Sequence, residues 1–575
     1  MDRTAWVAVI LCVLGLVAWE GWIFHQSTLK PTTVAASPAP GSPPPAPVAS
    51  ASAAPLASVA PVATPAPAPT TPSFALKTET LRNGDVELHF TNRGGGISEA
   101  VLLNHKAEHG RPVSLNSPEY LPIGAMIDNP AAPNLTEYEV KRDGDAVQLK
   151  QTSADNVTIQ KRFFFPKKDE KDNYLVELDV DLTNGSTKSY ANPGYFLGLG
   201  SVAPIHGNDY PSPRLVWCVN GKPKGIDVGW FTASNGFLGV GQRAARPFYQ
   251  ENVPTPGAEW VAVSNQFFTA LVAPLSAKAN SVWGRRVEVE LPTGQKLGAV
   301  EGAMGMPGFE LQPGQTTSVR YQMWIGPKLY NRLARLEHDE AEIMEFGIFK
   351  IVSQALLNAL NTLHNFLGNY AAAILALTAI IKLILWPLQN KANRSARQMA
   401  ALGPKIQELR EKYKDDPTKM NQEVMKMYKQ YGINPVGGCL PMLIQIPIFF
   451  GLFTMLRQAV ELRNSSFLWI HDLSQPDTVA HLPVLGWPVN ILPIIMAATS
   501  FWMMQITPKS GDPTQQRMMM FTPIIFVIFC YNFAAALALY YTVQNLFTIL
   551  QLYQNRKQPM PTLEKVQPPG KPKRR

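Results

Sequence analysis

One apolar run constrains this chain more than any other feature. Residues 369 to 388, NYAAAILALTAIIKLILWPL, are long enough to cross a bilayer as a helix and carry a single cation, Lys382, inside the run. At about 1.5 Å per residue, Lys382 lies about 20 Å from the Asn369 end and about 9 Å from the Leu388 end, within one leaflet. An ammonium at that depth costs at least ~2.5–3.5 kcal/mol. Two things can offset the cost. The lysine stem can reach toward the headgroups, or the charge can occupy a polar, hydrated site between helices. The flanking sequence has to separate these readings.

The apolar residues are segregated, since a chain with 46 % hydrophobic residues has a mean hydropathy of only −0.05. The net charge of +9 fits lysines and arginines clustered beside apolar spans better than a nucleic-acid surface. Cys12, Cys218, Cys439 and Cys530 are scattered, so neither a disulfide framework nor a metal cluster is implied.

Residues 1–25 hold an apolar run flanked by tryptophans and are expected to form an uncleaved transmembrane anchor with a cytoplasmic N-terminus. Residues 26–73, rich in Pro, Ala, Ser and Thr, read as an extended linker. From 74 to 327 the pattern has period two, as at Val86, Leu88, Phe90, at Val157, Ile159, then Phe163, Phe165, at Tyr174 to Leu182, and at Val319 to Ile325. This predicts a large periplasmic β-sandwich. His206, Asp209, Glu259 and Trp260 have no spacing that makes a sugar site and read as surface loop residues. Residues 328–368 read as amphipathic helices at the membrane interface, with Phe349, Val352, Leu356, Leu360, Leu363 and Leu367 on one face.

Residues 369–553 read as a five-helix core, interrupted by a charged stretch with ten Lys/Arg against five acids between Leu388 and Asn434. That balance places it in the cytoplasm. Residues 389–432 are expected to form a helical hairpin, kinked at Gly403-Pro404 and restarted by Asp416 as N-cap with Pro417 first in the helix. The following spans carry Gln445, Asn532, Tyr541 and Gln544. The tail, residues 554–575, is basic. With the anchor, six transmembrane helices result, and loop charges put both termini in the cytoplasm.

The apolar spans of the five-helix core hold no carboxylate for a proton relay, no Ser/His pair, no zinc motif and no phosphate loop. Their polar groups either glue helices together or line a groove with one positive charge. A secondary transporter would call for inverted repeats, and none is visible. A membrane-anchored carbohydrate-active protein would leave the helical core unexplained.

Several blocks resemble the YidC membrane protein insertase family in its Gram-negative form. They are Lys382 to Leu388, Pro404-Lys405-Ile406-Gln407, NPVGGCLPMLIQIPIF from Asn434, FLWIHDLS from Phe467, and Leu539-Tyr540-Tyr541. The resemblance implies a non-enzymatic insertase and chaperone of the bacterial inner membrane, without cofactor. It would act alone or with the Sec translocon, on nascent membrane proteins, in contact with the lipid bilayer. It also implies a β-supersandwich like that of sugar mutarotases, without their activity. By position, the family's groove cation falls on Lys382, where arginine is usual, its client contacts on Thr378 and Tyr541, and a groove-lining amide on Gln445. The hairpin 389–432 would take part in client capture, and the basic tail in ribosome docking.

Overall fold

Strands form where the period-two runs lie. The computed structural model describes residues 74–107, 110–166, 173–207, 209, 212–234, 242–290, 294, 296–433, 440–482, 488–507, 528 and 530–557. The N-terminal anchor, the linker, the Asn434–Gly438 turn cluster, most of the 518–532 span and the tail beyond Lys557 lie outside these residues.

Val86, Leu88 and Phe90 are fully buried, and Tyr174 to Leu182 turn the same alternate side chains inward. Such alternation builds an antiparallel sheet with one core face. Nine strands form the largest sheet, in the order Lys222–Asp227, Arg214–Val219, Trp260–Ser264, Phe268–Pro274, Thr316–Pro327, Leu175–Asn184, Val157–Phe164, Ala146–Thr152 and Glu139–Asp143. Five others run Tyr249–Asn252, Ser281–Glu290, Lys296–Leu311, Tyr190–Val202 and Met126–Ile127. A four-stranded sheet runs from Thr78–Arg82 to Pro112–Leu115. Tyr190–Val202 and Lys296–Leu311 of the five-stranded sheet pack over Trp260–Ser264 of the largest one, and Trp217, Trp260, Trp283 and Trp324 lie buried in this domain. The expected β-rich domain is thus present.

Two sequence readings change here. Trp260 and Asp209 are buried, not surface loop residues. Asp209 turns its carboxylate back on its own loop, accepting from Ile205 N at 2.6 Å and His206 N at 3.0 Å.

The β-domain is docked on the helices. The tight turn between Trp260–Ser264 and Phe268–Pro274 has a fully buried tip, with Phe267 at 0 % exposure. Asn265 Oδ1 rigidifies it by accepting from Phe267 N and Phe268 N. Gln266 Nε2 donates to Arg457 O at 2.7 Å, and Arg463 donates to Lys106 O at 2.7 Å with its guanidinium 5.1 Å from the Phe267 ring. A buried loop tip has its backbone groups satisfied by partners instead of water, and here those partners join two parts of the chain.

Among the described residues, seven helices of ten residues or more follow: α1 Lys350–Leu367, α2 Tyr370–Ala401, α3 Gly403–Lys412, α4 Pro417–Gln430, α5 Leu440–Gln458, α6 Ile491–Ile506 and α7 Ala535–Arg556. Among the described residues only α2 is long and apolar enough to cross a membrane by length and composition, and α6 is a shorter apolar helix. The six-helix count expected from sequence is therefore not reached within the described residues. α1 buries Leu356, Leu357 and Leu360 and leaves Ile351 and Phe366 outward, each 82 % exposed. Gly451 of α5 lets α1 approach closely, because a Cβ there would stand 2.8 Å from Val352 Cγ1. Ser353 Oγ seals the contact by donating to Gly451 O at 3.0 Å.

The boundary expected at Leu388 is not a break. α2 continues through Pro387 to Ala401, so at the α-helical rise it is about 48 Å long and outreaches a ~30 Å hydrocarbon core. The chain turns only at Leu402, where α3 starts with Pro404 in its first turn. Asp416 caps α4, its carboxylate accepting from Lys419 N at 3.0 Å. α3 and α4 close over Leu402, Ile406 and Ile433, with Met399, Val424 and Met427 against them.

Candidate functional site

α2 is started by Asn369, whose Oδ1 accepts from Ala372 N at 3.0 Å, and its apolar surface faces outward at Ile380, Leu383 and Ile384, the last 70 % exposed. Lys382 points the other way. It is 3 % exposed, and its Nζ donates to Thr548 Oγ1 of α7 at 2.8 Å and to Gln389 Oε1 at 3.5 Å. The side chain therefore does not lie on the outward apolar face of α2. Among the described residues no carboxylate forms an ion pair with it. Neutral oxygens take the hydrogen bonds, and none of the described residues brings an opposite charge into an ion pair with it.

Of the other expected residues, Gln445 bonds to α7, Tyr541 lies on α7, and Thr378 shares α2 with Lys382. Gln445 Nε2 reaches from α5 to Tyr540 Oη at 3.4 Å and Gln544 Oε1 at 3.3 Å. Tyr541 is half-buried and packs edge-on against Phe449 at 5.4 Å. Thr378 is fully buried, and its hydroxyl donates back to Ile374 O at 2.7 Å, which leaves it part of the α2 wall. The link between Gln445 and Lys382 runs through α7. The Gln544 side chain takes Gln445, the Gln544 carbonyl takes the Thr548 hydroxyl at 2.8 Å, and Thr548 Oγ1 takes Lys382.

Residues that sequence reasoning passed over complete the seam. Gln551 Nε2 donates to Asn390 Oδ1 at 2.8 Å, Asn555 Nδ2 to the same oxygen at 3.2 Å, and Arg397 to Asn555 O at 2.8 Å. On α7 the positions Tyr540, Gln544, Thr548, Gln551 and Asn555 recur at four, four, three and four. That spacing keeps one polar face turned inward, and it was readable in the sequence. A polar stripe between two apolar helices provides hydrogen-bonding partners at membrane depth for groups that would otherwise face hydrocarbon.

Comparison with known proteins shows the family of the chain. Residues 362–561 match the family described as 60Kd inner membrane protein, and residues 242–359 match the YidC periplasmic domain. The membrane protein insertase YidC of Nitratidesulfovibrio vulgaris strain DP4 is 30 % identical over 582 residues, covering 96 % of this chain and 98 % of that protein. That of Syntrophus aciditrophicus strain SB is 31 % identical, covering 97 % and 100 %. With the insertase of Nitratidesulfovibrio vulgaris strain Miyazaki F identity rises to 34 %, over 66 % of each chain, so there the match spans about two thirds of the relative. A crystal structure of an active YidC insertase, with its first transmembrane domain resolved, aligns over 84 % of this chain and 93 % of its own at 19 % identity, with a TM-score of 0.34. Two relatives matched over nearly their whole length settle the assignment: the chain belongs to the YidC family of membrane protein insertases.

Proposed function

We propose that this protein inserts nascent membrane proteins into the bacterial inner membrane along the polar seam between α2, α5 and α7. It crosses the membrane six times with both termini cytoplasmic, works alone or beside the Sec translocon, needs no cofactor and carries out no covalent chemistry. The observation that carries the reading is Lys382, a buried cation hydrogen-bonded to Thr548 and Gln389 and to no acid among the described residues. The ammonium has three donors, and a buried charge with neutral partners attracts an acidic group more strongly than a solvated one. A polar segment of a client that enters the seam exchanges water for Thr548, Gln544, Gln445 and Tyr540, which shortens the hydrocarbon barrier it faces. Tyr541 and Phe449 offer an aromatic wall to the client's apolar helix. The exposed cations of the α3–α4 hairpin and the basic tail suit a ribosome surface.

Two measurements test this reading. A photoreactive residue at Tyr541 should cross-link a ribosome-stalled membrane-protein chain, and one at Ile384 on the outward face should cross-link lipid instead. A client cross-link at Ile384 with none at Tyr541 would move the path out of the seam. For topology, cysteines at Lys405 and Lys571 should label from the cytoplasm and cysteines at Glu139 and His471 from the periplasm. Periplasmic labelling at Lys405 would reverse the whole arrangement.

The β-domain lies on the periplasmic side of this scheme, and its hydrogen bonds to the core fall on Arg457 and Arg463 at the outer end of α5. Deleting most of residues 40–300 while keeping α1 should leave insertion largely intact and lower the thermal stability of the core, because Arg463 loses Lys106, Phe267 and Phe268. Loss of insertion at normal abundance would assign the β-domain a direct part in transfer.

A further inference from the structure

The segment between α5 and α6 contains a turn built against the usual turn chemistry. Phe467 N donates to Ile470 O at 2.9 Å and Ile470 N to Phe467 O at 2.8 Å, so Leu468 and Trp469 form a two-residue tip. Leu468 sits at φ 54°, in the left-handed region. Tips of this kind favour Gly, Asn or Asp, which tolerate positive φ and hydrogen-bond water. Leucine does neither, and here it is also 76 % exposed, with Trp469 at 36 %. The conformation carries a backbone cost and an apolar-exposure cost at the same residue.

The tip is not slack chain. Phe467 packs on the core, and Ile470 and Leu473 are buried at 2 % and 0 %. Trp469 Nε1 donates to Asp477 Oδ2 at 3.1 Å, and the same oxygen accepts from Leu492 N in the first turn of α6 at 2.6 Å. The carbonyls of Leu473 and Gln475 accept from Ala536 N and Ala535 N at the start of α7, at 3.0 and 2.8 Å. The loop is thus stitched to the first turns of two apolar helices, and it follows α5 directly through the turn at Val460–Leu462. Past Asp477, Val479 and Leu482 are also exposed, at 47 % and 45 %. Leu468 and Trp469 stand rigidly held where three helices of the core have their outer ends.

We infer that the Leu468–Trp469 tip is a wedge that enters the headgroup–acyl boundary of the outer leaflet, with phospholipid as its partner. This rests on the proposed reading of α5, α6 and α7 as membrane spans. Three features favour lipid. The apolar surface is level with the helix ends, a tryptophan with its N–H satisfied suits the interface belt, and no acidic or basic side chain lies at the two tip positions to specify a charged partner. In the bilayer boundary the Leu468 side chain leaves water, which offsets the left-handed backbone. The wedge would also hold the outer ends of α6 and α7 at a fixed depth, through Asp477 and the Leu473 and Gln475 carbonyls.

The test uses the full-length chain, with its four cysteines replaced, in phospholipid vesicles. An environment-sensitive fluorophore is placed at Leu468→Cys, at His471→Cys in the same loop and at Ile494→Cys on the exposed face of α6. The label at 468 should emit to the blue of the label at 471, lose most of its emission when the acyl chains are brominated near the headgroup, and resist aqueous iodide. The label at 471 should show the opposite. If 494 is quenched by brominated lipid while 468 behaves like 471, the wedge is wrong and the span reading stands. If neither 468 nor 494 is quenched, the span reading fails and the wedge with it. If 468 becomes protected from iodide only when a stalled nascent chain is added, the tip is a client contact and the lipid assignment is overturned.

Discussion

Lys382→Glu should abolish most insertion of clients whose translocated segment is acidic, while clients with a neutralised segment continue to insert. The structure sharpens this expectation. Lys382 lies in the seam at 3 % exposure, so a charge at this position is felt by whatever enters. Lys382→Ala removes the attraction without adding repulsion. An acidic client should then insert about tenfold more slowly, equivalent to about 1.4 kcal/mol, and its neutral counterpart should change little. Thr548 keeps its own bond to Gln544 O in either variant, so the seam is not left with an orphaned hydroxyl donor. Lys382→Arg should retain activity, since the guanidinium holds its charge and can still reach Thr548 and Gln389. Had the lysine merely reached along the lipid face, alanine would be neutral or mildly favourable, and client charge would be irrelevant. Insertion of a matched acidic and neutral client pair into vesicles bearing equal amounts of each variant decides the matter. Equal, undiminished insertion of both clients by the glutamate variant would remove electrostatic attraction from the mechanism.

The apolar run around Lys382, the period-two strands and the Asp416 cap were legible because each depends on residues close together in sequence. The partner of Lys382 was not. Thr548 lies 166 residues away, and a threonine in an apolar helix is equally at home donating to its own backbone, as Thr378 does. The seam below it was half legible, since the inward spacing of Gln544, Thr548, Gln551 and Asn555 is plain while Asn390 on the facing helix is one polar residue among many. The continuation of α2 to Ala401 was obscured by Pro387. Proline usually marks a helix end, but here the helix passes through it. The docking of the β-domain was invisible, because Asn265-Gln266-Phe267 reads as an ordinary hairpin turn and nothing local says that its tip is buried against Arg457 and Arg463.

One omission had a clear signal. In the strand Val157–Phe164 the inward positions are odd-numbered, which places Lys161 between buried Val157 and Phe163 on the core side. Lys161 is fully buried. Its Nζ donates to Gly95 O at 2.8 Å, Gly124 O at 2.9 Å and Gly94 O at 3.1 Å, with the Tyr138 ring 4.6 Å away. The ammonium ties two chain reversals to the strand, much as a bound cation would, and a side chain at Gly95 is barred because its Cβ would meet the Tyr138 ring at 2.6 Å. Lys161→Met fills the same space and leaves three buried carbonyls without their donor, so the β-domain should lose about 3 kcal/mol or more. The pH dependence of this loss follows from linkage. Burial pushes the Lys161 pKa down from 10.5 to about 7, while three carbonyls matched to three donors pull toward the cation. Below the folded value both folded and unfolded chains hold the proton, and the full cost of burying it is present. Between that value and 10.5 the unfolded chain binds more protons, so folded stability rises with pH across this window. Lys161→Met lacks the titrating group and should show none of this rise. Thermal unfolding followed by tryptophan emission at pH 7 and pH 9.5 should therefore give a larger gain for the wild-type chain than for the variant. Equal gains for the two would mean that the carbonyl cage holds the proton throughout, with Lys161 a permanent cation at the centre of the domain.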